Sequence, residues 1–396
     1  MDIPRHTHMN DGDIGQSTRC PGMPGSVGIR PMRKDDVEAV EAVLNSAFKK
    51  TGRDVNFDFR SYVETLFFSS PTFDPEYGSV VYDAGENRVT SVILAVPMRF
   101  IANGKAITAR LLCAFASDGK LGALGAARLS RSMRATKHDM LFSDTAPPVS
   151  ADHWVAIGGN MMPIESLQWH KALKPFCTIA LRMPRRSKLA KTTLALSALG
   201  FIDGILRSWK KGLRPHPVAG ARVKTVDFET FRRKALTMIE RFSIRPEWSH
   251  GEFHWLIEMS RANESLGELK SLTIETAEGH VMGAALFFGQ PGRTAYVLNL
   301  VCDAGRENDV LNTLFRHFDD ENYAHVTGMS QPFLINALYR QNHLSFRHDG
   351  YFCLATRDEA LRHRAIAGDI HIGSFCPESW SRLINDYLAA PTPVAP

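Results

Sequence analysis

Apolar positions in the first half of the chain switch between strand spacing and helix spacing. Residues 27–31 read as a short strand, followed by a helix in which Val37, Val40, Val43, Leu44 and Ala47 share one face and Asp35 stands where a cap belongs. Residues 79–83 and 88–100 are apolar runs separated by Gly85, Glu86 and Asn87, and Asn103-Gly104 turns the second into a third at 107–116. Two such turns between alternating runs predict an antiparallel meander. The third run, whose most apolar part is 111–116, ends at Ser117-Asp118-Gly119. A helix then resumes in which Leu124, Ala127 and Leu129 interleave with Arg128, Arg131 and Arg134. Residues 140–142 read as a buried strand, 144–150 as a proline-bearing loop, and 151–157 as a short helix stopped by Gly158 and Gly159.

The second half repeats this outline. Helices are expected at 228–242 and 251–259, strands at 269–275, 281–288 and 295–302, then a helix at 309–318, a strand at 325–329 and a helix at 332–341. Between the halves, from 184 to 217, lies a strongly apolar helix containing Leu194, Leu196, Leu199, Phe201, Ile202, Ile205 and Leu206. Around it stand Arg185, Arg186, Lys188, Lys191, Arg207, Lys210, Lys211 and Arg214. Those eight cations against Asp203 give the stretch +7 while the whole chain carries +5, so the basic character is local. An interdomain helix packed between two cores and an interfacial helix suited to anionic lipid both fit it. It is shorter than the roughly 20 apolar residues of a membrane span. No aromatic platform interleaves with the charges, which argues against nucleic acid.

The turn after the third run carries the clearest chemistry. Gly119, Gly122 and Gly125 allow positive φ and close approach, and a strand–turn–helix unit aims unpaired N–H groups at an anion with the helix dipole behind them. The same spacing also suits a plain strand-to-helix connection packed through small residues. A P-loop is excluded because no Lys-Ser/Thr follows the glycines. The dinucleotide fingerprint is excluded because the spacing is Gly-x-x-Gly-x-x-Gly. The stretch resembles the coenzyme A pyrophosphate loop of the GNAT superfamily of N-acyltransferases, Arg/Gln-x-x-Gly-x-Gly/Ala. Lys120 falls at the first position, Ala123 at the first Gly, Gly125 at the last, and Leu129 at an apolar position turned inward; Lys120 and Ala123 depart from the usual residues.

The resemblance implies a mixed α/β (α+β) architecture of two GNAT-like domains, each a mostly antiparallel central sheet flanked by helices. Its expected divisions are a disordered tail at 1–26, a first domain at 27–180, a basic linker helix at 181–220 and a degenerate second domain at 221–396. It implies transfer of an acetyl group from acetyl-CoA to an amine, small or lipid-linked. The donor would be held by Ala114, Phe115 and Ala116 and by Gly119, Lys120, Leu121, Gly122, Ala123, Leu124, Gly125 and Ala126. Aligning the glycines puts Trp154 where the family's last helix carries a tyrosine that protonates the leaving thiolate. Indole cannot do so, which leaves His153 or water for the task and Trp154 for packing. The second copy has one glycine in its loop at 303–306, yet Leu338-Tyr339 matches the tyrosine pattern. Candidate catalytic residues are therefore Tyr339, His153 and Asp118. Of the carboxylates near the loop, Asp118, Glu76 and Asp144 each read first as turn or capping residues. His138 and Asp139 are adjacent and so point apart. Aspartates at Gly122 and Gly125 are expected to abolish donor binding and leave the melting temperature nearly unchanged.

Composition changes this picture only at its edges. A chain of 396 residues, 44% hydrophobic, can build two cores. Its six cysteines show no Cys-x-x-Cys spacing, and Cys113, Cys302 and Cys353 sit in apolar runs, which suits a reducing, cytoplasmic setting without structural zinc or other metal. Residues 1–26 lack the apolar core of a signal peptide. No Gly-x-Ser-x-Gly and no His-Glu-x-x-His occurs, which removes two common hydrolase signatures. Two other readings stay open: a FemX-like or polysaccharide-pathway acyltransferase with a lipid-linked acceptor at the inner membrane face, and an acyl-CoA-binding scaffold without turnover.

Overall fold

The computed structural model describes residues 27–48, 58–135, 139–182, 192–209 and 214–383. The expected tail at 1–26, His138, the stretch 183–191 with four of the linker's cations, and Lys210 and Lys211 lie outside the described residues.

Strand β1 (Gly28–Pro31) leads through a short 3-10 turn into α1 (Val37–Phe48) and then α2 (Phe59–Phe68). The carboxylate that caps this entry is Asp36 rather than Asp35: its Oδ2 accepts the Arg33 N–H at 2.7 Å, and Arg30 ties it to Asp83. The meander follows as β2 (Val80–Asp83), β3 (Val89–Ala102) and β4 (Lys105–Ser117), then α3 (Ala123–Ala135) and β5 (Met140–Ala146). The expected loop after 142 is four more residues of strand. Helix α4 (Pro148–Ala156) starts earlier than its apolar spacing suggests, because Pro148 sits in its first turn, where a missing N–H costs nothing.

Next come β6 (Asn160–Met162), β7 (Leu167–Ala172), α5 (Pro175–Arg182), α6 (Thr193–Trp209) and β8 (Arg222–Thr225). The second half continues with α7 (Phe228–Ile239), β9 (Ile244–Pro246), α8 (His250–Arg261), β10 (Glu268–Glu275), β11 (Val281–Gly289) and β12 (Thr294–Cys302). It closes with α9 (Glu307–Asp320), β13 (His325–Met329), α10 (Ile335–Tyr339), β14 (Leu344–His348), β15 (Tyr351–Ala355), α11 (Glu359–Ile366) and α12 (Pro377–Trp380). Helices α7, α8 and α11 begin where Asp227, Ser249 and Asp358 accept N–H groups of the first turn.

The strands form two sheets, and each sheet borrows a strand from the other half of the chain. The first runs β1-β2-β3-β4-β5-β15-β6, with β9 added on β3; the second runs β14-β7-β13-β12-β11-β10-β8. Strand β15 inserts between β5 and β6, and β7 inserts between β13 and β14. The expected units 27–180 and 221–396 therefore share strands reciprocally. One buried cluster fills the space between the sheets, drawing Val40 and Leu66 from α1 and α2, Leu111 from β4, Phe231 and Phe253 from α7 and α8, and Leu286 from β11. Separate clusters cover the outer faces, one under α3 and α4 and one under α9 and α10.

Helix α6 forms as its apolar pattern predicts, but it is not packed between two cores. It pairs with α5, and Asp203 caps that helix by accepting the N–H groups of Phe176 and Cys177, both at 3.0 Å. Leu194, Phe201, Ile202 and Ile205 remain exposed. Among the described residues no helix is long and apolar enough to cross a membrane.

Candidate active site at the parting of two parallel strands

Strands β4 and β5 run parallel but pair over only three positions, ending at Leu111 and Phe142. Past that point they separate, and among the described residues the edge of β4 that faces β5 has no strand partner. The change coincides with a bulge: Leu94 pairs with Ala114 and Ala95 with Leu112, which leaves Cys113 over. A bulge re-aims the strand and frees a backbone group. The second sheet has the same construction. There β12 and β13 pair as far as Val297 and Gly328, and Leu298 is the residue left over between Val297 and Asn299.

The two partings differ in what fills them. In the second, the residues after α11 enter the gap. Ser374 donates its N–H to the Leu298 carbonyl at 2.7 Å, Asn299 Nδ2 reaches the Ile372 carbonyl, and the His371 ring lies 3.3 Å from Asn299 Oδ1. Gly373, at φ +71°, is pressed so closely on Asn299 that a Cβ would stand 2.5 Å from its side-chain nitrogen. Burial lowers His371 to about 3, so the imidazole is neutral. The void that remains is about 10 Å³, room for about one water. The loop beside it is equally closed to anions: Glu307 and Asp309 occupy the first turn of α9, and Glu307 accepts the Gly305 N–H. These acids already satisfy the helix dipole.

The loop of the first sheet is open. Asp118 anchors it by donating its N–H to the Thr90 carbonyl at 2.9 Å and accepting the Gly122 N–H at 2.9 Å. The next helical bond runs from the Ala126 N–H to the Gly122 carbonyl. Among the described residues, no protein acceptor takes the N–H groups of Lys120, Leu121, Leu124 and Gly125. Four free donors at the positive end of a 13-residue helix with no acid in its first turn make an anion site. Lys120, Leu121, Ala123 and Leu124 are exposed, Ala126 is half-buried, and Gly119 takes φ +47° with open space around it. Gly122 and Gly125 do something else. A Cβ on Gly122 would lie 2.6 Å from the Asp118 nitrogen and the Thr90 oxygen, and one on Gly125 would lie 2.6 Å from the Tyr82 ring. Both are glycines for packing against β2 and β3, so aspartate at either position would damage the fold, contrary to the sequence-based expectation.

At the apex of the first parting lies a pair of buried carboxyls. Ser143 Oγ donates to Glu378 Oε1 and the Asp144 N–H to Glu378 Oε2, both at 2.7 Å, and Ser379 Oγ donates to Asp144 Oδ2. Asp144 and Glu378 belong to β5 and α12, and both are buried. Burial raises Asp144 to about 6, and burial together with the charge of Asp144 raises Glu378 well above the usual carboxylate range. No cation is among the groups that set either value. A pair without a counter-ion holds a proton between its members.

The candidate catalytic residues fare differently. His153, on α4, spans the parting edge-on to Phe115 of β4, with ring centroids 6.0 Å apart. Trp154, the next residue of α4, is buried in one cluster with Leu129, Met133 and Cys353. Asp118 is a turn residue whose carboxylate accepts the Ser46 hydroxyl at 2.8 Å. Tyr339 is 83% exposed on α10, in the half whose parting is filled, and is not brought to the first one. Ala114 and Phe115 are half-buried on the unpaired length of β4, and Ala116 is buried there. Glu378 had no motif to mark it; its one signal is an acid within the apolar company of Phe375, Cys376 and Trp380.

No family model matches the chain, and no curated protein matches it by sequence. Solved structures do match. A conserved protein of unknown function from Enterococcus faecalis, described as a probable N-acyltransferase, aligns with a TM-score of 0.54 and 14% identity over 84% of this chain and 72% of its own. A GCN5-related N-acetyltransferase from Anabaena variabilis aligns with a TM-score of 0.51 and 11% identity over 84% of this chain and 73% of its own. Another from Kribbella flavida gives 0.50 and 11% over 87% and 74%. With its two sheets, paired bulges and partings, this chain has the fold of the GCN5-related N-acetyltransferases.

Proposed function

We propose that the first sheet binds an acyl-coenzyme A and that the protein transfers the acyl group, acetyl in the first instance, to an amine. The observation that carries this reading is the asymmetry of the two partings. One is filled and its loop is acidic; the other keeps an unpaired strand edge, a bulge and four free N–H groups. Those donors fit a pyrophosphate. The unpaired edge of β4 from Leu112 onward offers backbone groups to an amide-bearing arm lying along it.

Bound acyl-coenzyme A would supply an activated thioester. The chain's own residues then have two proton tasks. An acceptor that arrives as an ammonium must lose a proton before its nitrogen can form the C–N bond as the C–S bond breaks, and the Asp144–Glu378 pair is the base at the apex. The departing sulfur needs a proton. The imidazole of His153, across the parting at Phe115, is the side chain suited to deliver it.

Calorimetric titration of acetyl-CoA into wild type and Ala123→Asp tests the donor site. Ala123 is exposed at the first turn of α3, so an aspartate there should favour the helix dipole and raise the apo melting temperature slightly. The same charge should weaken donor binding at least about tenfold. Absence of binding to wild type, or unchanged binding to Ala123→Asp, would sink the proposal. Binding without turnover on any amine would favour the scaffold reading.

A further inference from the structure

We propose that the α5–α6 hairpin docks this protein onto an anionic lipid surface. Six large apolar side chains are exposed on this one hairpin: Phe176 and Ile179 on α5, and Leu194, Phe201, Ile202 and Ile205 on α6. Leu194, Phe201 and Ile205 are spaced by seven and four residues, which sets them in one stripe on the helix. The opposite side of α6 carries the buried Leu196 and Asp203 that join it to α5. The exposed stripe is therefore the outer face of an amphipathic element whose inner face is already used.

Charge selects the occupant. From 175 to 214 the chain has nine cations and a single acid, Asp203. That acid is fully buried and both its oxygens accept N–H groups at the start of α5. No negative charge is left for the surface of the hairpin. An open cavity of about 570 Å³ beside α6 is lined in part by Arg293, a further cation at the β11–β12 turn. Exposed aliphatic and aromatic side chains on a stretch of sequence this rich in cations suit a bilayer interface, where the apolar side chains enter the acyl boundary and cations meet anionic headgroups. A second copy of this chain would bring two stretches of the same net positive charge together across a two-fold axis, which like-charge repulsion opposes. Since no described helix can cross a membrane, the hairpin lies on the surface.

Co-sedimentation of the full chain with vesicles distinguishes the outcomes. Wild type should pellet with vesicles of equal parts phosphatidylcholine and phosphatidylglycerol, and at least about tenfold less with phosphatidylcholine alone or in high salt. The double variant Leu194→Asp, Phe201→Asp should keep the wild-type melting temperature, because these side chains are 85% and 72% exposed. Its partition into the mixed vesicles should fall at least about tenfold. Failure of wild type to pellet with mixed vesicles, or equal pelleting of the variant, would overturn the proposal. So would a lipid-free dimer that the double variant disperses, since the stripe would then be an interface between copies.

Discussion

Asp144→Asn and Glu378→Gln should each lower amine acylation by about 10²–10⁴-fold, the span expected for loss of a general base. Asp144 lies two residues past Phe142, where β5 leaves β4; Glu378 of α12 is held there by the Ser143 hydroxyl and the Asp144 N–H, and Asp144 by the Ser379 hydroxyl. In wild type, kcat/KM should rise with pH from about 6 upward as the pair loses the first of its two protons and becomes a monoanion able to accept one from the acceptor. Both variants should lose that limb. Stability moves the opposite way. Asp144 binds its proton more tightly when folded, at about 6 against 3.8 for the unfolded chain, so the native state is favoured below the unfolded value and loses stability as pH rises through the folded one. Glu378→Gln should flatten this decline and be neutral or stabilising at pH 8, because an amide is not asked to hold a charge in an apolar site. Urea denaturation across pH 4 to 8, alongside rates, separates the roles. A variant that changes stability but keeps the wild-type pH limb of the rate would assign the pair to structure alone.

Much of the first sheet was legible because its strands are consecutive and their turns are marked by glycine and asparagine. The asymmetry between the loops was legible too, since three glycines at 119–125 face one at 303–306. The strand exchange was not. β7 and β15 are six and five residues of ordinary strand pattern, and nothing local says which sheet will take them. Their destination depends on where β5 and β13 leave a free edge, a property of the assembled sheets. Asp144 was misread because a nearby proline pair suggested a loop, although Pro148 only opens a helix. Glu378 is bound to Ser143 and Asp144 across 235 and 234 positions of sequence, a separation that spacing rules do not span. The apolar stripe of α6 was visible as composition, but its exposure depends on Asp203 turning inward to cap α5.

Gly122→Ala and Gly125→Ala should each destabilise the protein by about 1–3 kcal/mol, and their aspartate versions should fail to fold to the native state. The reason is the close seating of α3 on the meander. At Gly122 the added Cβ would meet backbone atoms of Asp118 and Thr90 at 2.6 Å, and backbone in a paired strand cannot swing aside as a side-chain tip can. At Gly125 it would strike the Tyr82 ring and Ser91 Oγ, and Ser91 is already engaged in donating to the Gly122 carbonyl at 2.9 Å. The second sheet reaches the same closeness with the roles reversed: the glycine is Gly283 on β11, and Val310 of α9 fills the space it leaves. Gly119 is the control. A Cβ there touches nothing, so Gly119→Ala should cost only the strain of φ +47°, about 1 kcal/mol. Thermal and urea unfolding of the three alanine variants, read beside acetyl-CoA binding, decides what these glycines do. If Gly122→Ala melted like wild type yet failed to bind, the glycine would be making room for the donor, and the tight packing of α3 on β3 would be wrong.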